Sequence, residues 1–137
     1  MKSVIKNEFI DINYSVIGNM ISMVWTPCNN YMSEWEFVEQ IDSLFSTIEV
    51  FKSKIAYIDA SSFCYPISEK SVLLIKQYIS KCEVKSFGIV MSSNLLGKCH
   101  ILRMLKKMSS DGCTLTIFHT RKEGEFWYSL KNGSVDF

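Results

Sequence analysis

Apolar and polar residues first alternate along Phe9-Ile10-Asp11-Ile12-Asn13-Tyr14. Ile10, Ile12 and Tyr14 fall on one side of a strand, Asp11 and Asn13 on the other. A second run, Met20 to Trp25, follows the turn signal Gly18-Asn19. That link is too short for a crossover, so the two strands are expected to form an antiparallel hairpin. The period then changes. Ser33-Glu34-Trp35-Glu36 has the form of a capping box, and Met32 and Phe37 stand where a hydrophobic staple would lie. Val38, Ile41, Phe45 and Ile48 recur at steps of three and four, which predicts an amphipathic helix over 33–49. Strands and helices alternate from there. Strand 54–59 leads to a helix from Ser68 to about Lys81, with Val72, Ile75, Ile79 and Cys82 inward. Strand 86–91 leads to a helix from about Leu95 to Met108, with Ile101, Leu102, Leu105 and Met108 inward. Asp111-Gly112 reads as a turn before strand 113–118. A short helix around Glu123–Leu130 carries Phe126, Trp127 and Leu130, and the tail Lys131-Asn132-Gly133-Ser134 reads as frayed.

The order ββαβαβαβα predicts an α/β fold: a mostly parallel five-stranded sheet with an antiparallel N-terminal hairpin strand and right-handed crossovers. Strands sandwiched between two helix layers are almost continuously apolar, whereas Thr114-Leu115-Thr116-Ile117-Phe118 alternates. Helices should therefore cover chiefly one face, leaving the other partly bare or covered by a partner. No repeat, linker or low-complexity tract interrupts the pattern, so residues 1–137 are expected to form one domain with a core at about 8–130.

Composition narrows the function classes. Apolar residues make up 47% and charged residues 21%, which suits a globular chain, and the net charge of +1 gives no global field for nucleic acid or an anionic membrane. No apolar run approaches the roughly 20 residues of a membrane span. The N-terminus turns acidic at Glu8 before a signal-peptide core could form, so a cytoplasmic location is expected. Cys28, Cys64, Cys82, Cys99 and Cys113 are widely spaced, without the paired spacing of a zinc knuckle. They read as packing residues in a reducing compartment, and no metal or cofactor is expected.

Candidate chemistry collects at strand ends, where open α/β sheets place their ligands. Strand 54–59 stops at Asp59, followed by Ser61 and Ser62, and Ser68 opens the next helix. Asp59 could orient a ligand or accept N–H bonds from its own loop. Ser61, Ser62 and Ser68 could accept phosphate, and Ser68 also suits a helix cap. Ser92, Ser93 and Asn94 end the neighbouring strand and could hold an anion with the N–H groups of the following helix, or simply cap it. Lys98, Arg103, Lys106 and Lys107 make that helix basic. It has no aromatic residues for stacking on bases, so it reads as a solvated face or as a docking face for an acidic partner or headgroup. His119 could in principle pair with Cys64 or Ser61, but no nucleophile motif accompanies it. Trp35 lies in a first helical turn among glutamates and reads as core, with a contact surface as the alternative.

The hairpin ending Met23-Val24-Trp25, the loop Ile58-Asp59-Ala60-Ser61, the helix starting near Ser68, and Leu115-Thr116-Ile117-Phe118 through Phe126-Trp127 together resemble the STAS-like (SpoIIAA-like) fold. That group includes anti-sigma-factor antagonists and many small bacterial proteins. Ile58-Asp59-Ala60-Ser61 is similar to the strand-end Leu-Asp-Leu-Ser of the antagonists. Their Asp-Ser-Ser-Gly motif, whose serine accepts phosphate, is replaced here by Pro66-Ile67-Ser68-Glu69, which puts Ser68 and Glu69 on the two serine positions. The resemblance implies a non-catalytic, cytoplasmic protein-interaction or regulatory module, with a protein partner or a homodimer. The alternative is a carrier of a small apolar molecule or lipid, and an enzyme built on the 59–68 and 92–94 loops ranks behind both.

Overall fold

The computed structural model describes residues 2–107 and 113–133. Its sheet has six strands in sequential order: β1 (Lys2–Lys6), β2 (Ile10–Ser15), β3 (Met20–Trp25), β4 (Ile55–Asp59), β5 (Ser86–Val90) and β6 (Thr114–Phe118). The expected hairpin is β2–β3, in register from Ile10 opposite Trp25 to Ser15 opposite Met20. Strands β3 to β6 pair in parallel. The sixth strand, β1, was not foreseen. It lines the edge antiparallel to β2 with a register shift between Ser3 and Ile5. Its sequence, Lys-Ser-Val-Ile-Lys, shows no alternation because only Val4 and Ile5 reach the core. Lysines at both ends suit an edge strand, where charge opposes further pairing.

Helices α1 (Glu34–Phe51), α2 (Glu69–Lys81) and α3 (Leu95–Lys107) are the crossovers between successive parallel strands. The predicted capping box starts α1. Ser33 Oγ accepts from the Glu36 N–H at 3.1 Å, and Glu36 Oε1 accepts from the Ser33 N–H at 2.9 Å. At its far end Lys52 takes a left-handed conformation (φ 52°) that ends the helix. Phe37, Ile41, Leu44, Phe45 and Ile48 are buried in one core with Ile10, Ile12, Met23 and Trp25 of the sheet. Each such side chain contributes about 1.5–3 kcal/mol. Rings of Trp25, Phe37, Phe63 and Tyr65 pack at centroid separations of 4.7–6.4 Å, which draws the loop between β4 and α2 into the core. Leu102, expected inside, is exposed on α3, and Trp35 is 75% exposed rather than core. Met108, the Asp111-Gly112 turn and Ser134 lie outside the described residues.

The opposite face is closed differently. The last helix, α4 (Arg121–Lys131), lies over β4, β5 and β6, where Trp127 and Tyr128 pack on Tyr57, Val90 and Phe118. Two glycines set its distance from the sheet. A Cβ at Gly88 would stand 2.5 Å from the Trp127 ring, and one at Gly124 would stand 2.5 Å from Val90 and 2.7 Å from Tyr57 Oη. Beyond α4 the chain remains tied down, since the Ser15 hydroxyl donates to Asn132 Oδ1 at 2.5 Å. The tail expected to fray from Lys131 is thus helical at Lys131 and anchored at Asn132.

Gly88→Ala is expected to force Trp127 and its helix off the sheet. The cost should be about 1–3 kcal/mol, the usual range for overpacking, read as a lower urea midpoint with an unchanged slope.

Candidate functional site

The carboxyl ends of β4, β5 and β6 are level: Asp59 pairs with Val90, and Val90 with Phe118. Past that level the strand pairing continues through Ala60 N–H to Val90 O and Met91 N–H to Phe118 O. The loops beyond are bound to each other. The Ser61 carbonyl accepts from both the backbone N–H (3.0 Å) and the hydroxyl (2.9 Å) of Ser93. Ser92 Oγ donates to the Phe63 carbonyl at 2.5 Å and accepts from Asn94 N–H at 3.1 Å. Asn94 Oδ1 accepts from Gly97 N–H at 3.1 Å and so caps the first turn of α3. A Cβ at Gly97 would lie 2.0 Å from the Phe63 carbonyl oxygen. The glycine near this strand end therefore lets the chain's own carbonyl reach the α3 N-terminus, where an anion would otherwise approach.

Asp59 is 5% exposed and its two carboxylate oxygens have different partners. Oδ1 accepts from the Ser61 N–H at 3.0 Å, an Asx-type turn within the loop. Oδ2 accepts from Arg121 Nε at 3.0 Å, and the other arm of that guanidinium donates to Ser61 Oγ at 3.0 Å. Arg121 is the first residue of α4, so one ion pair ties the strand-end loop to the helix on the far face. Sequence reasoning placed no role on Arg121. The available signal was positional: a cation directly after the last parallel strand reaches the same sheet edge as a carboxylate ending an earlier one. His119 is exposed, and the Ser61 hydroxyl is engaged with Arg121.

A second unforeseen residue, Asn29, is fully buried in the 3-10 turn Pro27–Tyr31 after β3. Its amide nitrogen donates to the carbonyls of Thr26 and Ser62, and its oxygen accepts from Cys64 N–H at 2.9 Å. It holds the loop that carries Ser62 in place. Ser68 belongs to a separate group. It caps α2 by accepting from Ser71 N–H at 3.1 Å and donates to Glu34 Oε1 of α1 at 2.8 Å. Glu69 is exposed and pairs with Lys107 at 3.1 Å, whose hydrogen bond and charge hold its carboxyl below the usual range. The structure thus brings Asp59, Ser61, Ser62, Ser92, Ser93 and Asn94 together and leaves Ser68 with the helices.

Tyr57, two residues before Asp59 on the same face, is 6% exposed, and its hydroxyl has no hydrogen-bond partner among the described residues. Burial, then the nearby charges of Asp59 and Glu125, push its phenol above the ordinary range, against a smaller opposing effect of Arg121. Among the described residues no group of three or more His, Cys, Asp or Glu side chains could hold a metal ion, and no two of the five cysteines are joined in a disulfide. No helix among them is long and apolar enough to cross a membrane. Between the sheet and α1–α3 lies an apolar cavity of about 90 Å³, lined by residues including Met23, Phe37, Leu44, Phe63, Ile101 and Leu115. Comparisons with family models, curated proteins and solved structures found no match for this chain.

Asp59→Asn should weaken the bond to Arg121 and destabilise the protein by about 1–2 kcal/mol, because Arg121 is half-exposed and its charge is screened. Hydrogen exchange should quicken in α4 more than in α1. Equal protection of α4 in both proteins would show that the ion pair does not hold the helix.

Tyr57→Phe should be neutral or stabilising by up to about 1 kcal/mol at pH 8, since it removes an unpaired buried hydroxyl. The unfolded phenol ionises near pH 10 while the folded one keeps its proton. The folded state then binds more protons, and stability falls as pH rises above 10. The variant should lose less stability than the parent between pH 10 and 11 in urea titrations. A residual loss is expected, because burial also raises Tyr65 and Tyr128.

Proposed function

We propose that this chain is a non-catalytic, STAS-like module of a reducing, cytoplasmic setting that works by binding a protein through the outer face of its three-helix layer. The hairpin followed by repeated strand–helix units supports the STAS-like reading. The strand-end polar groups support a non-catalytic role. Asp59, Ser61, Ser92 and Asn94 are engaged in joining two loops and a helix.

The observation that carries the binding reading is the exposure of Trp35 (75%) on α1 and Leu73 (61%) on α2. Both line one groove of about 610 Å³ with Val38, Leu74, Lys70 and Glu34. Large side chains in one apolar groove with a polar rim mark a contact surface. The aromatic anchor is of the kind that dominates interface energetics.

The carrier reading has less support. The 90 Å³ cavity is smaller than the ~150 Å³ that admits benzene and far below the 300–1,000 Å³ of typical ligand pockets.

A photoreactive amino acid in place of Trp35 is expected to yield a discrete protein adduct in the native cell, whether with another protein or with the same one. The same group in place of Glu125 on α4 should not yield it. No adduct from position 35, or equal adducts from both positions, would count against the binding face.

A further inference from the structure

The helical layer is charge-polarised across its width. Five acidic residues and no basic one lie on α1: Glu34, Glu36, Glu39, Asp42 and Glu49. Four basic residues and no acidic one lie on α3: Lys98, Arg103, Lys106 and Lys107. Between them runs α2, which bonds to both neighbours. Ser68, its cap, meets Glu34 of α1, and Glu69 meets Lys107 of α3. The near-zero net charge of the chain conceals this separation.

The exposed residues form matching stripes. On α1 the solvent stripe is Trp35, Glu39, Asp42, Ser46 and Glu49, at steps of four and three. On α3 it runs from Leu95 and Leu96 through Cys99 and Leu102 to Arg103 and Lys106. All three helices run in the same direction, since each returns from the end of one parallel strand to the start of the next. Both outer helices therefore present apolar residues at their N-terminal ends and charge beyond, with Val50 exposed in addition at the far end of α1. Leu73 is exposed on the central helix.

From this arrangement, and resting on the protein-binding reading above, we propose that the partner is a second copy of this chain, docked helical face to helical face about a two-fold axis running along α2. A rotation about that axis lays α1 of one copy on α3 of the other with their directions matched. Trp35 then meets the partner copy's Leu95 and Leu96, while Glu39, Asp42 and Glu49 run opposite Arg103 and Lys106. Leu73 faces its own counterpart near the axis. A two-fold interface is isologous, so each acid–base contact occurs twice. The area is adequate. Helices of about 20 Å spaced roughly 10 Å apart give a face of roughly 600 Å² in projection, near the ~800 Å² of accessible surface that a standard interface buries per partner. The same self-complementarity accounts for the basic helix: its acidic docking partner is α1 of another copy.

Sedimentation velocity of the full chain at micromolar concentration should show a species of twice the 15.8 kDa chain mass. Its dissociation constant should rise with salt, because the paired charges are at the surface. Glu39→Lys with Glu49→Lys leaves the exposed stripe of α1 with two bases against Asp42, basic like that of α3, and Arg103→Glu with Lys106→Glu makes the exposed stripe of α3 acidic like that of α1. Each variant alone should dissociate at least ~10-fold more readily, with helix content by circular dichroism unchanged. Their equimolar mixture should recover the dimer, since each basic stripe then faces an acidic one. The mixture also controls for folding, because two misfolded proteins would not restore a discrete two-fold species. A second readout needs no charge change: tryptophan emission should shift to the blue as concentration rises, and Trp35→Phe should abolish that shift. A monomer throughout the concentration range, variants that dimerise as the parent does, or a mixture that stays monomeric would each overturn the proposal. If the parent is monomeric while position 35 still yields a cellular adduct of higher mass than one added chain could give, the binding face stands and the second copy is not its occupant.

Discussion

Right-handed crossovers between strands laid down in sequential order govern the rest of the structure. Each parallel step from β3 to β6 advances in the same direction across the sheet, so the crossover rule places α1, α2 and α3 on the same face. Two consequences follow. The three helices form one continuous layer whose outer surface is open to a partner. The other face of the sheet receives no crossover helix and must be closed by something else. In this chain that is α4, which follows the last strand and turns back beneath it.

Closing that second face explains much of the local chemistry. A helix with a short apolar stripe has few buried contacts of its own, so its position depends on close approach and on a polar tie. Gly88 and Gly124 provide the approach, and Arg121 provides the tie by meeting Asp59 and Ser61. The strand-end carboxylate thus joins three elements: its own turn, the neighbouring loop through Ser61, and α4. Each of its oxygens has a structural partner. The cost of the arrangement is visible at Tyr57, whose hydroxyl is trapped beneath Gly124 without a partner among the described residues. On the helical face the apolar residues at the outer surface stay exposed, and the charge separation between α1 and α3 becomes a surface property because those helices are the two flanks of one layer.

Regular elements were legible wherever burial imposed a period. The capping box at Ser33, the three- and four-residue steps of α1 and the alternation in β2 appear in the structure close to their expected bounds, and β6 lies where it was expected although Ile117 is exposed and Phe118 buried. The juxtaposition of the Ser61 and Ser93 loops was also legible, because adjacent crossovers bring consecutive strand ends together. Edge strand β1 was not, since pairing there rests on backbone hydrogen bonds and two apolar residues. Asn29 gave no signal, because a buried amide looks like any loop asparagine until its partners at Thr26, Ser62 and Cys64 are assembled. Leu102 and Trp35 were misplaced for a related reason: an apolar residue at a helix position predicts burial only if another element covers that side.

What the sequence by itself determined is therefore the set of elements, their order and the one-sided helical layer, because periodicity, caps and crossover handedness are local or nearly local rules. Tertiary structure alone decided how Asp59 is used, where α4 lies and which apolar side chains remain outside. Those outcomes depend on residues far apart in the chain, Asp59 with Arg121 and Gly88 with Trp127, meeting across the sheet. No local pattern encodes such a meeting, since its free energy exists only once both faces of the sheet have been built.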